Sequence, residues 1–149
     1  MHYTTGNVGR VIVMRLEDGD PVYECIQKTA AAENITHAMV WIIGGVTNGN
    51  VVVGPDDYAP DAKFPFSVLS EKFTDRREIA GTGMLMPASD GVSRLHMHAA
   101  IGKGTEPIVG CPRLGLDCWL VNEVVMLELS GVNARRIKEP QSGFELLTI

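Results

Sequence analysis

The sequence lacks an excess of basic residues. It contains 13 lysines and arginines against 18 aspartates and glutamates, which gives a formal net charge of −5 at pH 7. Non-specific binding to nucleic acid depends on lysine and arginine side chains that neutralise phosphates. The basic residues here form no run beyond the pairs Arg76-Arg77 and Arg135-Arg136. We therefore do not expect nucleic acid as a partner.

Long apolar runs and paired cysteines are also missing. No stretch is apolar for long enough to cross a bilayer, and the start "MHYTTGNVGR" has neither the basic cap nor the apolar run of a signal peptide. The three cysteines, Cys25, Cys111 and Cys118, are an odd number without C-x-x-C spacing, which is typical of reduced thiols. We expect a cytoplasmic protein without membrane contact.

The chain of 149 residues, 45% of them hydrophobic, fits one globular domain over residues 1–149, without repeats or linkers. The patterns predict strands over 10–16, 37–45 and 117–129, a helix capped by Asp20 and closed by Asn34, long loops over 55–75 and 102–116, and hairpins at "TNGN" and "PASDG". The predicted fold class is α+β, with a central, largely antiparallel sheet flanked by one or two helices.

The second hairpin contains "SRLHMHAAIG", which places two of the four histidines one residue apart. Because side chains alternate along a strand, Leu95 and Met97 share the core face, whereas His96 and His98 share the other. We expect the small residues over 80–83 of the preceding strand beside them. Two such imidazoles can bind one divalent ion, which then needs a further ligand.

Three downstream residues are candidates for that ligand. Cys111 lies in "VGCPRLG", Cys118 lies on the next strand, and Glu123 interrupts that strand. Other roles are open for each of them. The thiols suit small buried side chains, and Glu123 could pair with Arg113 or with an arginine of a neighbouring subunit.

The order and spacing of "RVIVMRLEDGDPVYECI", "EIAGTGML", "LHMHAAIG", "GCPRLG" and "WLVNEVVMLEL" resemble the PPC domain over nearly the whole chain. The resemblance implies an α+β fold, a homotrimer and a distant structural similarity to acetolactate decarboxylase, whose zinc is held by an H-x-H pair and a later histidine. In plants the domain is attached to AT-hooks, the source of its DNA-binding label. This sequence has no Arg-Gly-Arg-Pro hook.

The resemblance carries over to individual residues only in part. His96 and His98 match the H-x-H pair, but the "GGHL" stretch that supplies a third histidine in many members corresponds here to "GCPRL". Either Cys111 or Glu123 then completes a site for a divalent metal, with zinc as the expected ion, or Arg113 turns the pocket into an anion site. We also assign two further residues to this pocket, namely Glu78, the carboxylate matching the family's Gly-Arg-Phe-Glu-Ile segment, and Thr82.

Three functions are consistent with these observations. The preferred interpretation is a small trimeric binding protein or enzyme with a polar pocket for a metal, a small molecule or an anion. The second is a DNA-associated regulatory module, which the family label suggests and the acidic charge opposes. The third is a purely structural oligomerisation domain.

Overall fold

The computed structural model describes residues 1–57, 61 and 63–149, and these form ten strands and one helix. In chain order they are β1 (Asn7–Glu17), α1 (Val22–Ala32), β2 (Ala38–Thr47), β3 (Gly49–Pro55), β4 (Val68–Phe73), β5 (Arg77–Pro87), β6 (Ser93–Lys103), β7 (Glu106–Gly110), β8 (Asp117–Ser130), β9 (Arg135–Lys138) and β10 (Glu145–Thr148). No helix in this described part of the chain is long and apolar enough to span a membrane.

Six strands form the central sheet in the order β1-β8-β2-β5-β6-β7, and every neighbouring pair is antiparallel. The strands β3 and β4 form a second small sheet, and β9 and β10 form a third. The predicted central antiparallel sheet is confirmed. Of the one or two predicted helices, the described residues contain one, so the fold is mostly β.

The hydrophobic core lies between one face of the central sheet and α1. Val22, Ile26 and Ala30 recur at the helical spacing of one apolar face and are all buried. Alternate residues of the sheet strands meet them, among them Val40, Ile42, Leu85, Met97, Ile101, Val124 and Met126. Val51 of β3 and Phe73 of β4 belong to the same buried cluster, so α1 and the small β3–β4 sheet together cover the core face.

The opposite face of the central sheet carries apolar side chains that the chain leaves exposed. The exposed fractions are 59% for Val11, 75% for Val13, 41% for Trp41, 56% for Ile43 and 62% for Val109. We call this surface the open face. A cross-strand row runs over it from Val13 through Val125, Trp41 and Thr82 to His98.

Three predictions of local structure are wrong. Asp20 does not cap α1, because its carboxylate accepts a hydrogen bond from the Glu17 N–H and Pro21 occupies the N-cap position. Both edges of β2 are paired, with β5 and β8, so β3 cannot form the hairpin predicted at "TNGN" and pairs with β4 instead. The loop predicted over 102–116 contains β7.

The loop predicted over 55–75 falls partly on residues 58–60 and 62, which lie outside the described residues. The same range also contains the strand β4, so only part of it is a loop.

An ion pair between β1 and β8 gives a prediction for the pH dependence of stability. The Glu128 carboxylate accepts hydrogen bonds from the Arg10 backbone N–H (3.0 Å) and Nε–H (2.8 Å), which lower its pKa from the ordinary 4.5 to about 2. A carboxyl whose pKa is lower in the folded chain stabilises it above the unfolded pKa and loses this effect as pH falls toward the folded pKa. We expect the melting temperature of Glu128→Gln to lie below that of the wild type near neutral pH, with a difference that shrinks from pH 4.5 toward 2. A difference independent of pH would contradict this.

Candidate functional site

The site lies at an edge of β6 that the neighbouring strand leaves open. Within the described residues, β7 pairs with β6 only from Ala99 to Lys103. Helix α1 supplies hydrogen-bond partners for backbone groups of β6 before Ala99. The Gln27 side-chain oxygen accepts the Leu95 N–H at 3.0 Å, and the Tyr23 hydroxyl donates to the Met97 carbonyl at 3.3 Å. A backbone edge that would otherwise lack partners is thereby satisfied by two helix side chains.

The alternation predicted for β6 is confirmed. Leu95 and Met97 are buried on the core face, whereas His96 and His98 are exposed on the open face. The β5 register places Thr82 opposite His98 and Met84 opposite His96. The glycines within 80–83 point away from the imidazoles, because they stand opposite core-facing residues of β6. The space that we expected them to leave above the rings is therefore on the other face.

Cys111 approaches the histidines from the end of β7. Its backbone N–H donates to the Val52 carbonyl and its carbonyl accepts from the Val52 N–H, so β3 fixes its position. Its side chain is buried, with Sγ 3.9 Å from the Tyr23 hydroxyl oxygen. The imidazoles of His96 and His98 are perpendicular, with ring centroids 5.0 Å apart. One ligand atom from each histidine and Sγ of Cys111 all lie within 4.8 Å of one another.

This geometry is close to what a tetrahedral ion requires. Zinc at about 2.0–2.1 Å from nitrogen and about 2.3 Å from sulfur sets ligand atoms roughly 3.3–3.8 Å apart. The three atoms of His96, His98 and Cys111, which lie within 4.8 Å of one another, would need only to move closer to one another to share one ion. Nitrogen and thiolate sulfur together are donors that zinc accepts readily.

The other two candidate ligands lie elsewhere. Glu123 is on the open face but on β8, which is separated from β6 by β5 and β2. At about 4.8 Å per strand, its backbone is about 14 Å from β6. Cys118 is buried, and its thiol donates to the Leu16 carbonyl. Neither residue joins the group of three.

The group of three, His96, His98 and Cys111, lines a cavity of about 1090 Å³. Arg113, which sequence analysis assigned to the pocket, is among the lining residues, and so is Arg136 of β9. Glu78 and Thr82, the other two residues predicted for this pocket, are not in the lining. Thr82 stands opposite His98, and Glu78 stands four residues before Thr82 on β5, a distance of about 13 Å along the strand.

Burial, and then the charges around the cavity, favour a neutral His96. The pKa of His96 is lowered from 6.5 to about 4, first by the protein that surrounds the ring and then by the positive charges of Arg136, His98 and Arg113. The imidazole is therefore unprotonated at neutral pH, which is the form that binds a metal. Burial beside Cys111 raises the pKa of the Tyr23 hydroxyl, so Tyr23 remains a hydrogen-bond donor.

Sequence reasoning missed Tyr23, Gln27 and Arg136. The first two are four residues apart on α1 and share a side of the helix. That spacing shows that they act on the same neighbour, but it identifies the neighbour only once the open edge of β6 is known. Arg136 carries no local signal, because only the position of β9 over β5 brings it to the cavity.

The family model of the Plants and Prokaryotes Conserved (PCC) domain matches residues 3–130. The chain belongs to the PCC domain family. This is the PPC domain of the sequence resemblance, and that prediction is confirmed at the level of the family. No curated protein matches the chain at a significant level of sequence similarity.

Solved structures share the fold of this PCC domain. A protein from Archaeoglobus fulgidus named metal-containing protein AF0104 has a TM-score of 0.86 at 21% identity, covering 100% of both chains. A plant- and prokaryote-conserved protein from Pyrococcus horikoshii has a TM-score of 0.77 at 22% identity, covering 100% of this chain and 98% of its own.

A third structure, from Ralstonia eutropha JMP134, is named as a candidate DNA-binding protein. Its TM-score is 0.67 at 21% identity, and the match covers 92% of this chain and 90% of its own. At such identities the likeness shows the fold alone. The name nevertheless does not favour our expectation that nucleic acid is not a partner.

The hairpin of β9 and β10 follows the part of the PCC domain that the family model matches. It packs through β9 on β5, where Arg136 Nη2 donates to the Met84 carbonyl at 3.3 Å. Together, β9, β10 and the turn between them add Arg136, Phe144, Glu145 and Leu146 to the cavity wall.

The substitution Gln27→Ala tests whether the Gln27 side chain stabilises the open edge of β6. The substitution leaves the partly buried Leu95 N–H without its acceptor, so we expect a loss of about 1–2 kcal/mol in unfolding free energy. Faster hydrogen exchange should appear at the Leu95 amide. The matched control is Lys28→Ala, an exposed position on the same helix, for which we expect a change within about 0.5 kcal/mol. Equal effects of the two changes would show that Gln27 does not support the edge.

Proposed function

We propose that this PCC domain is a homotrimeric pocket protein that binds a divalent metal, with zinc as the first choice, through His96, His98 and Cys111. The observation that supports the proposal most directly is the approach of three ligand atoms within 4.8 Å of one another at the cavity. The name of the Archaeoglobus fulgidus structure, a metal-containing protein, agrees with it.

The ligand set also has a chemical rationale. Three protein ligands leave a position open, and an ion with an open position can polarise a carbonyl or activate water when bound. The similarity to acetolactate decarboxylase that the resemblance implies stays a prediction, and under it Cys111 takes the place of the third histidine. A reducing compartment keeps a thiol available as a ligand, in keeping with the cytoplasmic location that we expect.

The trimer is supported by the open face. Val13, Trp41 and Ile43 are exposed there on adjacent parts of one sheet, opposite a face that α1 already covers. Contiguous apolar surface of this kind marks an interface more often than free surface. A second copy of the chain is the occupant we propose, since the family resemblance implies self-association.

Removal of each ligand tests the metal site. We expect untagged wild-type protein to retain about one zinc ion per chain, and His96→Ala or His98→Ala each to lose it. The loss of affinity should exceed the roughly 10–100-fold that removal of an outer-sphere partner costs. Cys111→Ser should weaken binding because serine replaces a thiolate with a poorer zinc ligand. Elemental analysis with competition titration gives the affinities.

Glu123→Gln is the matched control for these variants, because it removes a candidate ligand that lies on β8. It should leave zinc affinity unchanged. The fold of every variant is checked by circular dichroism, which should not change, since Leu95 and Met97 form the core face of β6. Zinc well below one ion per chain in wild type reloaded with zinc would contradict the metal site.

Sedimentation equilibrium tests the trimer. We expect the wild type to sediment as a trimer at micromolar concentration and Ile43→Lys to shift it toward monomer, because a charge would be buried at the interface. Glu123 faces Ile43 across the strands, so the lysine gains an opposite charge within the monomer. Val92→Lys, at a turn residue of similar exposure (57% against 56%), should remain trimeric. A monomeric wild type would refute the assembly.

A DNA-associated module is the second candidate, favoured by the names of neighbours from Ralstonia eutropha and Bacteroides thetaiotaomicron, both candidate DNA-binding proteins. The net charge of −5 opposes it. A gel shift with unrelated duplexes over a range of salt separates the candidates, and sub-micromolar binding at physiological salt would favour DNA.

If neither metal nor anion changes the melting temperature and no duplex binds, the structural oligomerisation domain gains support.

A further inference from the structure

We propose that the cavity binds a small organic carboxylate, that the Arg136 guanidinium pairs with its carboxylate group, and that the apolar wall of the cavity holds its carbon chain. The proposal rests on the proposed function, since it names the ligand class of the same cavity. The arginine that carries it comes from the β9–β10 hairpin and was absent from every candidate site in the sequence.

Arg136 is held beside the candidate metal ligands. Its Nη2 donates to the carbonyl of Met84, and Met84 stands opposite His96 in the β5–β6 register. The Met84 backbone that anchors the guanidinium therefore lies one strand spacing, about 4.8 Å, from the backbone of His96. Both Arg136 and His96 line the same cavity.

The positive charge of Arg136 is only partly offset. The Glu145 carboxylate acts to raise the pKa of Arg136, but burial outweighs it and the net shift is downward. The residue is half-buried, and its Nε atom is enclosed with no hydrogen-bond partner among the described residues. In the same part of the chain, Arg136 takes part in no salt bridge. A partly desolvated cation without a direct ion-pair partner is costly. An anion in the cavity would reduce that cost, and a guanidinium matches the planar geometry of a carboxylate.

The rest of the cavity favours an organic monoanion over phosphate. Much of the wall is apolar, contributed by Phe64, Phe66, Val68, Leu114 and Leu146. Glu145 also lines the cavity, and its carboxylate would repel a dianion more strongly than a monoanion. A volume of about 1090 Å³ is sufficient for a small organic molecule.

Calorimetric titration with three probes tests this. The probes are hexanoate, its uncharged analogue hexanamide, and inorganic phosphate, each added to the full chain in metal-free and in zinc-loaded form. We expect hexanoate to bind more tightly than either other probe, and Arg136→Gln to weaken hexanoate by about 10- to 100-fold, as for the loss of a charged hydrogen bond. Arg136→Lys, which keeps the charge but loses the two-pronged geometry, should show an intermediate loss.

Arg135→Gln is the matched control, because it removes the same charge from the same strand at an exposed position outside the cavity lining. It should leave hexanoate affinity within about twofold. Equal losses in Arg135→Gln and Arg136→Gln, unchanged affinity in Arg136→Gln, or tighter binding of phosphate than of hexanoate would overturn the proposal. Zinc content is measured on the same samples. If the chain takes up no zinc but binds hexanoate through Arg136, the carboxylate site is supported and the metal site fails. If the chain takes up zinc but does not bind hexanoate, the metal site is supported and the carboxylate site fails.

Discussion

The early end of the β6–β7 ladder determines where the rest of the site can form. From Ser93 to His98 the outer edge of β6 faces no strand in the described part of the chain, and its backbone groups must find other partners. Helix α1 provides them through Gln27 and Tyr23, and the cavity opens between the helix and this edge. Had β7 continued along β6, its backbone would fill that space.

The side chains of β6 alternate, so one face of the strand packs in the core and the other carries the histidines. Leu95 and Met97 fix the strand in the core, so the histidines can face the cavity without a cost to packing. The chain enters the site again at Cys111, which β3 holds by a pair of backbone hydrogen bonds. Rigid strands on both sides therefore position the three candidate ligands, an arrangement that favours a precise site.

Much of the fold followed from periodicity and turn chemistry, and so did the histidine pair. The alternation in "LHMHAAIG" and the "PASDG" turn were sufficient to predict the β5–β6 hairpin and the face that carries His96 and His98. Pairing between distant segments was harder, as shown by β3, which pairs with β4 because both edges of β2 are occupied. The same difficulty with distant segments explains which parts of the site the sequence could not predict. Cys111 and Glu123 were equal candidates in the sequence, and only the strand order separates them. Arg136 depends on how β9 packs on β5, which no local pattern encodes.

The central claim is that His96, His98 and Cys111 bind one ion together. X-ray absorption spectroscopy at the zinc edge of the zinc-loaded protein tests it most directly, because scattering from sulfur and from nitrogen or oxygen differs in distance and amplitude. We expect one sulfur at about 2.3 Å and two imidazole nitrogens at about 2.0–2.1 Å, with any remaining ligand a light atom. A zinc shell of nitrogen and oxygen alone, with no sulfur, would contradict it.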